Sequence, residues 1–108
     1  MLKHLANLYF DAFTNSDILR LRSFFSNDIK LQDWDVNANG IESVIHMYSN
    51  IFNSLSNISI KIVNLYEFNS LIIAELIISS NNIESISVVD FISYDEHQKI
   101  CSIRAYKG

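Results

Sequence analysis

Proline is absent from this chain, glycine occurs only at Gly40 and Gly108, and Cys101 is the sole cysteine. Each scarcity excludes something. A single thiol cannot close an internal disulfide, and a reducing cytoplasm is the simplest compartment for it. Two separated glycines cannot build a glycine-rich phosphate loop. No apolar run approaches the ~20 residues that a membrane helix needs. The opening Met1-Leu2-Lys3-His4 lacks the apolar segment of a signal peptide. Charged residues make up only 19%, with 8 basic against 12 acidic and a formal net charge of -4. The basic ones are scattered, whereas phosphate binding wants a basic patch, so a nucleic-acid partner is not expected. His4, His46 and His97 lie far apart, and no His, Cys, Asp and Glu group has metal-ligand spacing. Neither metal nor organic cofactor is expected.

What is present is hydrophobic, at 49% of residues, in a length that suits one domain over 1–108. Leu2 to Phe13 reads as an amphipathic helix whose stripe is Leu2, Leu5, Ala6, Tyr9 and Phe13. Ser16 is the expected N-cap of a second helix over Asp17 to Phe25. Ile29 to Trp34 reads as a short strand and Asp35 to Gly40 as a polar loop. A third helix is expected over Ile41 to Phe52, with Ile41, Val44, Ile45, Tyr48, Ile51 and Phe52 inward. Period-two patterning then predicts strands over Asn57 to Phe68, Leu71 to Ser79, Ile83 to Tyr94 and Lys99 to Lys107. Asn81-Asn82 is the turn of a hairpin. The order α-α-β-α-β-β-β-β implies an α+β fold, with helices covering one face of a curved antiparallel sheet.

Three polar residues interrupt apolar faces. Side chains alternate along a strand, so Asp90 shares a face with Ile86, Val88, Ile92 and Tyr94. Asp33 shares one with Ile29 and Leu31, and Tyr9 lies on the stripe of the first helix. An aspartate on a core face is costly unless it is paired, protonated or lining a cavity. Together the three point to an apolar pocket with chemistry in it. Each also has a structural reading. Asp33 caps the loop that holds Asp35 and Asn37, Asp90 joins a hydrogen-bonded network, and Tyr9 is a core tyrosine. Cys101 reads as a small buried hydrophobe on the face of Ile103 and Ala105, and His46 as a surface or dimer histidine. Val89 and Phe91 point away from Asp90 and need cover, which a homodimer packed through the sheets would supply.

Several segments carry a family likeness. Tyr9 to Ile18 resembles the end of a first helix and its turn in the nuclear transport factor 2-like superfamily, although Asn15-Ser16-Asp17 lacks the usual glycine. Ser23 to Asp28, Gly40 to Tyr48, Val88 to Tyr94 and Lys99 to Tyr106 resemble the following segments, so the likeness covers nearly the whole chain. Within the superfamily the sequence most resembles the ketosteroid isomerases. The resemblance implies a cone-shaped, cystatin-like layout: a curved antiparallel sheet and three helices enclosing an apolar pocket. It implies a cofactor-independent isomerase or related lyase, Asp33 moving the proton, Tyr9 and Asp90 as oxyanion donors, and Tyr48 supporting Tyr9. In ketosteroid isomerases the acid at the Asp90 position is kept neutral by its apolar site. The same resemblance makes Phe25, Trp34, Phe52, Val88 and Ile92 pocket residues and implies a homodimer with a small apolar ligand. Trp34 stands where the isomerases usually carry proline, and Asp35 to Asn39 is shorter than their loop; both reshape the pocket mouth. The superfamily also holds non-catalytic binders, so a small-molecule-binding or dimerisation domain is the alternative.

Overall fold

A computed structural model describes residues 2–108. Helix α1 spans Leu2–Thr14 and α2 spans Ile18–Phe24. Strand β1 (Phe25–Gln32) and the short β2 (Asn37–Asn39) follow, then α3 (Ile41–Ser54). The remaining chain is β3 (Ser59–Phe68), β4 (Leu71–Ser80), β5 (Ile83–Tyr94) and β6 (Ile100–Lys107). The six strands form one curved, unclosed sheet in the order β2-β1-β6-β5-β4-β3. The helices bury their apolar faces against one side of it, giving an α+β layer fold.

Four local expectations are corrected. The sheet is mixed, because β1 runs parallel to β6 while every other neighbouring pair is antiparallel. Asp35 to Gly40 is not simply a polar loop. Asn37–Asn39 returns along β1 as β2, with Ala38 buried between exposed Asn37 and Asn39. Asp17, not Ser16, caps α2 by accepting from Arg20 N at 3.2 Å, and Ser16 takes a left-handed turn conformation with φ 53°. Finally, Ser93 faces Ser102 while Tyr94 faces Ile100, so one extra residue sits in β6. That bulge moves half-buried Cys101 off the buried face of Ile100 and Ile103.

The core is built from the expected periodicities. Ala6, Tyr9 and Phe10 of α1, Val44 and Tyr48 of α3, Ile72, Ala74 and Leu76 of β4, and Ile92 of β5 are buried together. Each buried Ile or Leu contributes about 1.5–3 kcal/mol by leaving water. Gly40 opens α3 at φ 87°, a conformation that costs residues with a Cβ, and its N–H donates to the Ile29 carbonyl at 2.7 Å. That contact ties the start of α3 to β1.

A tyrosine hydroxyl in the core is sealed from solvent and unsatisfied. The Tyr94 hydroxyl is buried and has no partner among the described residues. A buried hydroxyl without a partner loses its bonds to water for nothing in return. Tyr94→Phe should therefore leave stability unchanged or raise it by up to about 1 kcal/mol in urea denaturation. A loss of that size would show that the hydroxyl is satisfied in solution.

Candidate functional site

Between the helices and the sheet lies a cavity of about 280 Å³. Its walls are apolar, with Phe13, Leu31, Met47, Ile51, Ile78 and Ile103 among them, and its polar lining is Tyr9, Tyr48, Asp33, Asp35 and Asp90. Tyr9, Tyr48 and Asp90 are buried and form the floor. Trp34, Asp35 and Ile83 are exposed and form the rim.

Two helices bring the tyrosines together. Tyr9 lies on the inward face of α1, and Tyr48 lies one turn beyond Val44 on that of α3. Their hydroxyl oxygens are 2.5 Å apart, so one donates to the other and the acceptor keeps a proton to give. Phe25 stacks on Tyr48 with centroids 5.8 Å apart, and Phe13 meets the same ring edge-on. This packing fixes both phenols. Burial holds the Tyr9 hydroxyl well above its ordinary pKa, with Tyr48 and the charge of Asp90 adding to the rise. Burial also raises Tyr48, against the hydrogen bond with Tyr9 and with the charges of Asp90 and Asp33. Both phenols are neutral at physiological pH.

Asp90 sits mid-strand in β5, opposite Ala74 and Ala105. The two small neighbours leave its carboxyl room to face the cavity, where it has no hydrogen-bond partner among the described residues and is 7% exposed. Burial, and then the charge of Asp33, push its pKa from 3.8 to about 7. Asp33 follows β1 at the turn into β2. Its Oδ1 accepts from the backbone N–H groups of Asp35 and Val36, both at 2.7 Å, and its own N–H donates to the Val36 carbonyl at 2.9 Å. Asp33 thus caps the loop, as its structural reading expects, while its Oδ2 makes no such bond and the residue lines the cavity.

Tyr9, Asp33, Asp90, Tyr48 and Trp34 therefore share one cavity. Four residues expected in the pocket wall stand behind it. Phe25 and Phe52 pack against Tyr48, while Val88 and Ile92 fill the buried face of β5. Sequence reading passed over Met47, whose signal was visible: it completes the turn between Val44 and Ile51 at helical spacing. Asp35 carries no such signal, because only the pairing of β1 with β2 brings it to the rim. His46 and His97 are exposed. Among the described residues no three His, Cys, Asp or Glu side chains gather as metal ligands do, and no helix is long and apolar enough to cross a membrane.

The raised pKa of Asp90 sets a pH dependence with a definite sign. Between pH 4 and 7 the folded state holds a proton that the unfolded chain has released, so stability falls as pH rises through this window. Above it both states are ionised and the burial penalty is complete, on the order of 4 kcal/mol at most. Asp90→Asn should flatten the decline in melting temperature between pH 5 and 8. An unchanged slope would mean that Asp90 titrates normally.

Neither a protein-family model nor a curated protein matches the chain by sequence. Solved structures do match in shape. A nuclear transport factor 2-like protein of unknown function from Cytophaga hutchinsonii aligns over 100% of this chain and 90% of its own, with TM-score 0.84 and 10% identity. A candidate SnoaL-like polyketide cyclase from Shewanella denitrificans aligns over 98% and 89%, with TM-score 0.85 and 17% identity. A Catenulispora acidiphila protein with a ketosteroid isomerase-like fold, in complex with trimethylamine, aligns over 94% and 82%, with TM-score 0.84 and 14% identity. At these identities the likeness is one of architecture. The chain has the nuclear transport factor 2-like fold, which its ketosteroid isomerase-like and SnoaL-like neighbours share.

Proposed function

We propose that the chain is a cofactor-independent isomerase, or a related lyase, that moves a proton next to the carbonyl of a small apolar compound. The observation that carries this is the meeting of a linked tyrosine pair, a buried carboxyl and a second carboxyl in one apolar cavity. Asp33 Oδ2 removes a proton from the carbon beside the carbonyl. The C–H electron pair forms the enolate double bond, and charge collects on the carbonyl oxygen. Tyr48 donates to Tyr9, Tyr9 donates to that oxygen, and neutral Asp90 donates the second bond. Asp33 then returns the proton to another carbon, or a leaving group departs with the electron pair. That the Catenulispora neighbour holds trimethylamine supports a small molecule as occupant. The free thiol of Cys101 suits a cytoplasmic setting.

The test is binding of an absorbing naphthol, an enolate mimic, across pH. Wild type should bind it as the naphtholate, and Tyr9→Phe and Asp90→Asn should each weaken it about tenfold or more. Asp33→Asn should abolish isomerisation in a ketone screen yet keep naphthol bound. Binding indifferent to both donor substitutions would leave a non-catalytic binding or dimerisation domain.

The reading includes a homodimer through the outer face of the sheet. Cross-strand pairs put Tyr66 beside Ile73, Ile73 beside Phe91, and Val89 beside Tyr106 on that face, away from Asp90. Tyr106 is 51% exposed and meets Phe91 edge-on, leaving apolar surface that a second copy would bury. Sedimentation at micromolar concentration should give a dimer; monomer alone would refute it.

A further inference from the structure

The cavity's charges are all of one sign. Asp33 and Asp35 line it together with the neutral acid Asp90, and no Lys, Arg or His does. Asp90 adds an observation independent of the acidic rim: more than nine-tenths buried, it aims an unpartnered carboxyl into the same space. Burial keeps that carboxyl protonated, and a proton facing the cavity with no protein acceptor points to an acceptor on a ligand. Low-dielectric walls concentrate the field of Asp33 and Asp35, so a ligand carboxylate or phosphate is repelled and a cation is drawn to the mouth.

The rim gives such a cation a place. Asp35 donates its backbone N–H to Asp33, which turns the residue toward the cavity, while its carboxylate has no partner among the described residues. Beside it Trp34 is 40% exposed, presenting an indole face at the mouth. That ring already attracts a cation. Lys107 Nζ lies 5.7 Å from its centroid, although Lys107 is not part of the cavity wall. Facing the rim from below are Tyr9 of α1, Tyr48 of α3, Asp33 after β1 and Asp90 of β5, none of them positive; the cations near the rim, Lys107 over the Trp34 ring and Arg104 in the adjoining pocket that Asp33 and Trp34 also line, lie outside the cavity wall.

We propose that the ligand of this cavity carries a protonated amine, seated between the Asp35 carboxylate and the Trp34 ring, with its apolar body inside. Its substrate class is then a compact amino ketone, free of carboxylate and phosphate. The ketone end rests on the isomerase reading; the ammonium end does not.

Matched probes separate the two. Tyramine, 4-propylphenol and 3-(4-hydroxyphenyl)propanoate share a phenol head and differ in tail charge. At pH 7 and low salt, tyramine should bind about tenfold tighter than 4-propylphenol, and the propanoate about tenfold weaker. Trp34→Leu and Asp35→Asn should each narrow the tyramine-to-propylphenol ratio to about threefold, and salt at about 0.5 M should narrow it in wild type. Phenethylammonium and 3-phenylpropanoate lack the hydroxyl and read the rim alone. Preference for phenethylammonium with no gain from the hydroxyl supports the amine site and sinks the oxyanion reading. Equal binding of the two, no binding of either, or a cation preference untouched by Trp34→Leu and Asp35→Asn overturns the amine site.

Discussion

Everything at the candidate site depends on keeping a carboxyl out of water without neutralising it with a cation. Asp90 sits in the middle of β5 where each neighbour on its face is apolar, and alanines flank it on both adjacent strands. A salt bridge would hold it ionised and inert. A larger neighbour in place of Ala74 or Ala105 would fill the space in front of it. The sheet supplies neither, so burial dominates and the carboxyl retains its proton well above the usual range. The tyrosine pair belongs to the same constraint. Two phenols bonded to each other remain neutral and offer one proton to the cavity, so the floor presents donors without adding positive charge.

Asp33 occupies the opposite environment. It lies at a strand end rather than inside one, and its Oδ1 is spent on the turn that returns β2 along β1. The structural and chemical readings of this residue are compatible, because they use different oxygens. The bonds that orient the loop also orient the free oxygen. A carboxyl held by two backbone N–H groups has few alternative rotamers, which is the preorganisation a proton-transferring group requires.

The sequence was legible wherever one period governed a segment. Alternation in Ile83 to Tyr94 places Asp90 on the buried face, and helical spacing places Tyr9 and Tyr48 on inward stripes. It was less legible where pairing across distance decided the outcome. Nothing local in Asn37-Ala38-Asn39 says strand; the segment becomes one because β1 offers an edge and Asp33 sets the turn. The parallel β1–β6 contact is invisible to any local rule, since it depends on which strands meet at the centre. The bulge that turns Cys101 off the buried face likewise arises from register with β5, not from residue type. Pocket membership was the hardest to read. Ile92 and Phe52 are as apolar as Ile103 and Met47, and only packing decides which of them reach the cavity.

The parallel pairing of β1 with β6 has a kinetic meaning. Lys30 and Ser102 are partners roughly 70 residues apart in the chain, so this seam closes the longest loop in the sheet. Hairpins β3–β4 and β4–β5 form through short turns and need no such closure. Relative contact order governs how fast small domains fold, and here its largest single contribution falls on the strand that delivers Asp33. Asp90 lies in a hairpin of local contacts, while the arm carrying the opposing carboxyl is held by contacts that carry the larger loop-closure cost. The cavity thus lies between strands joined by short loops and a strand joined through the longest one.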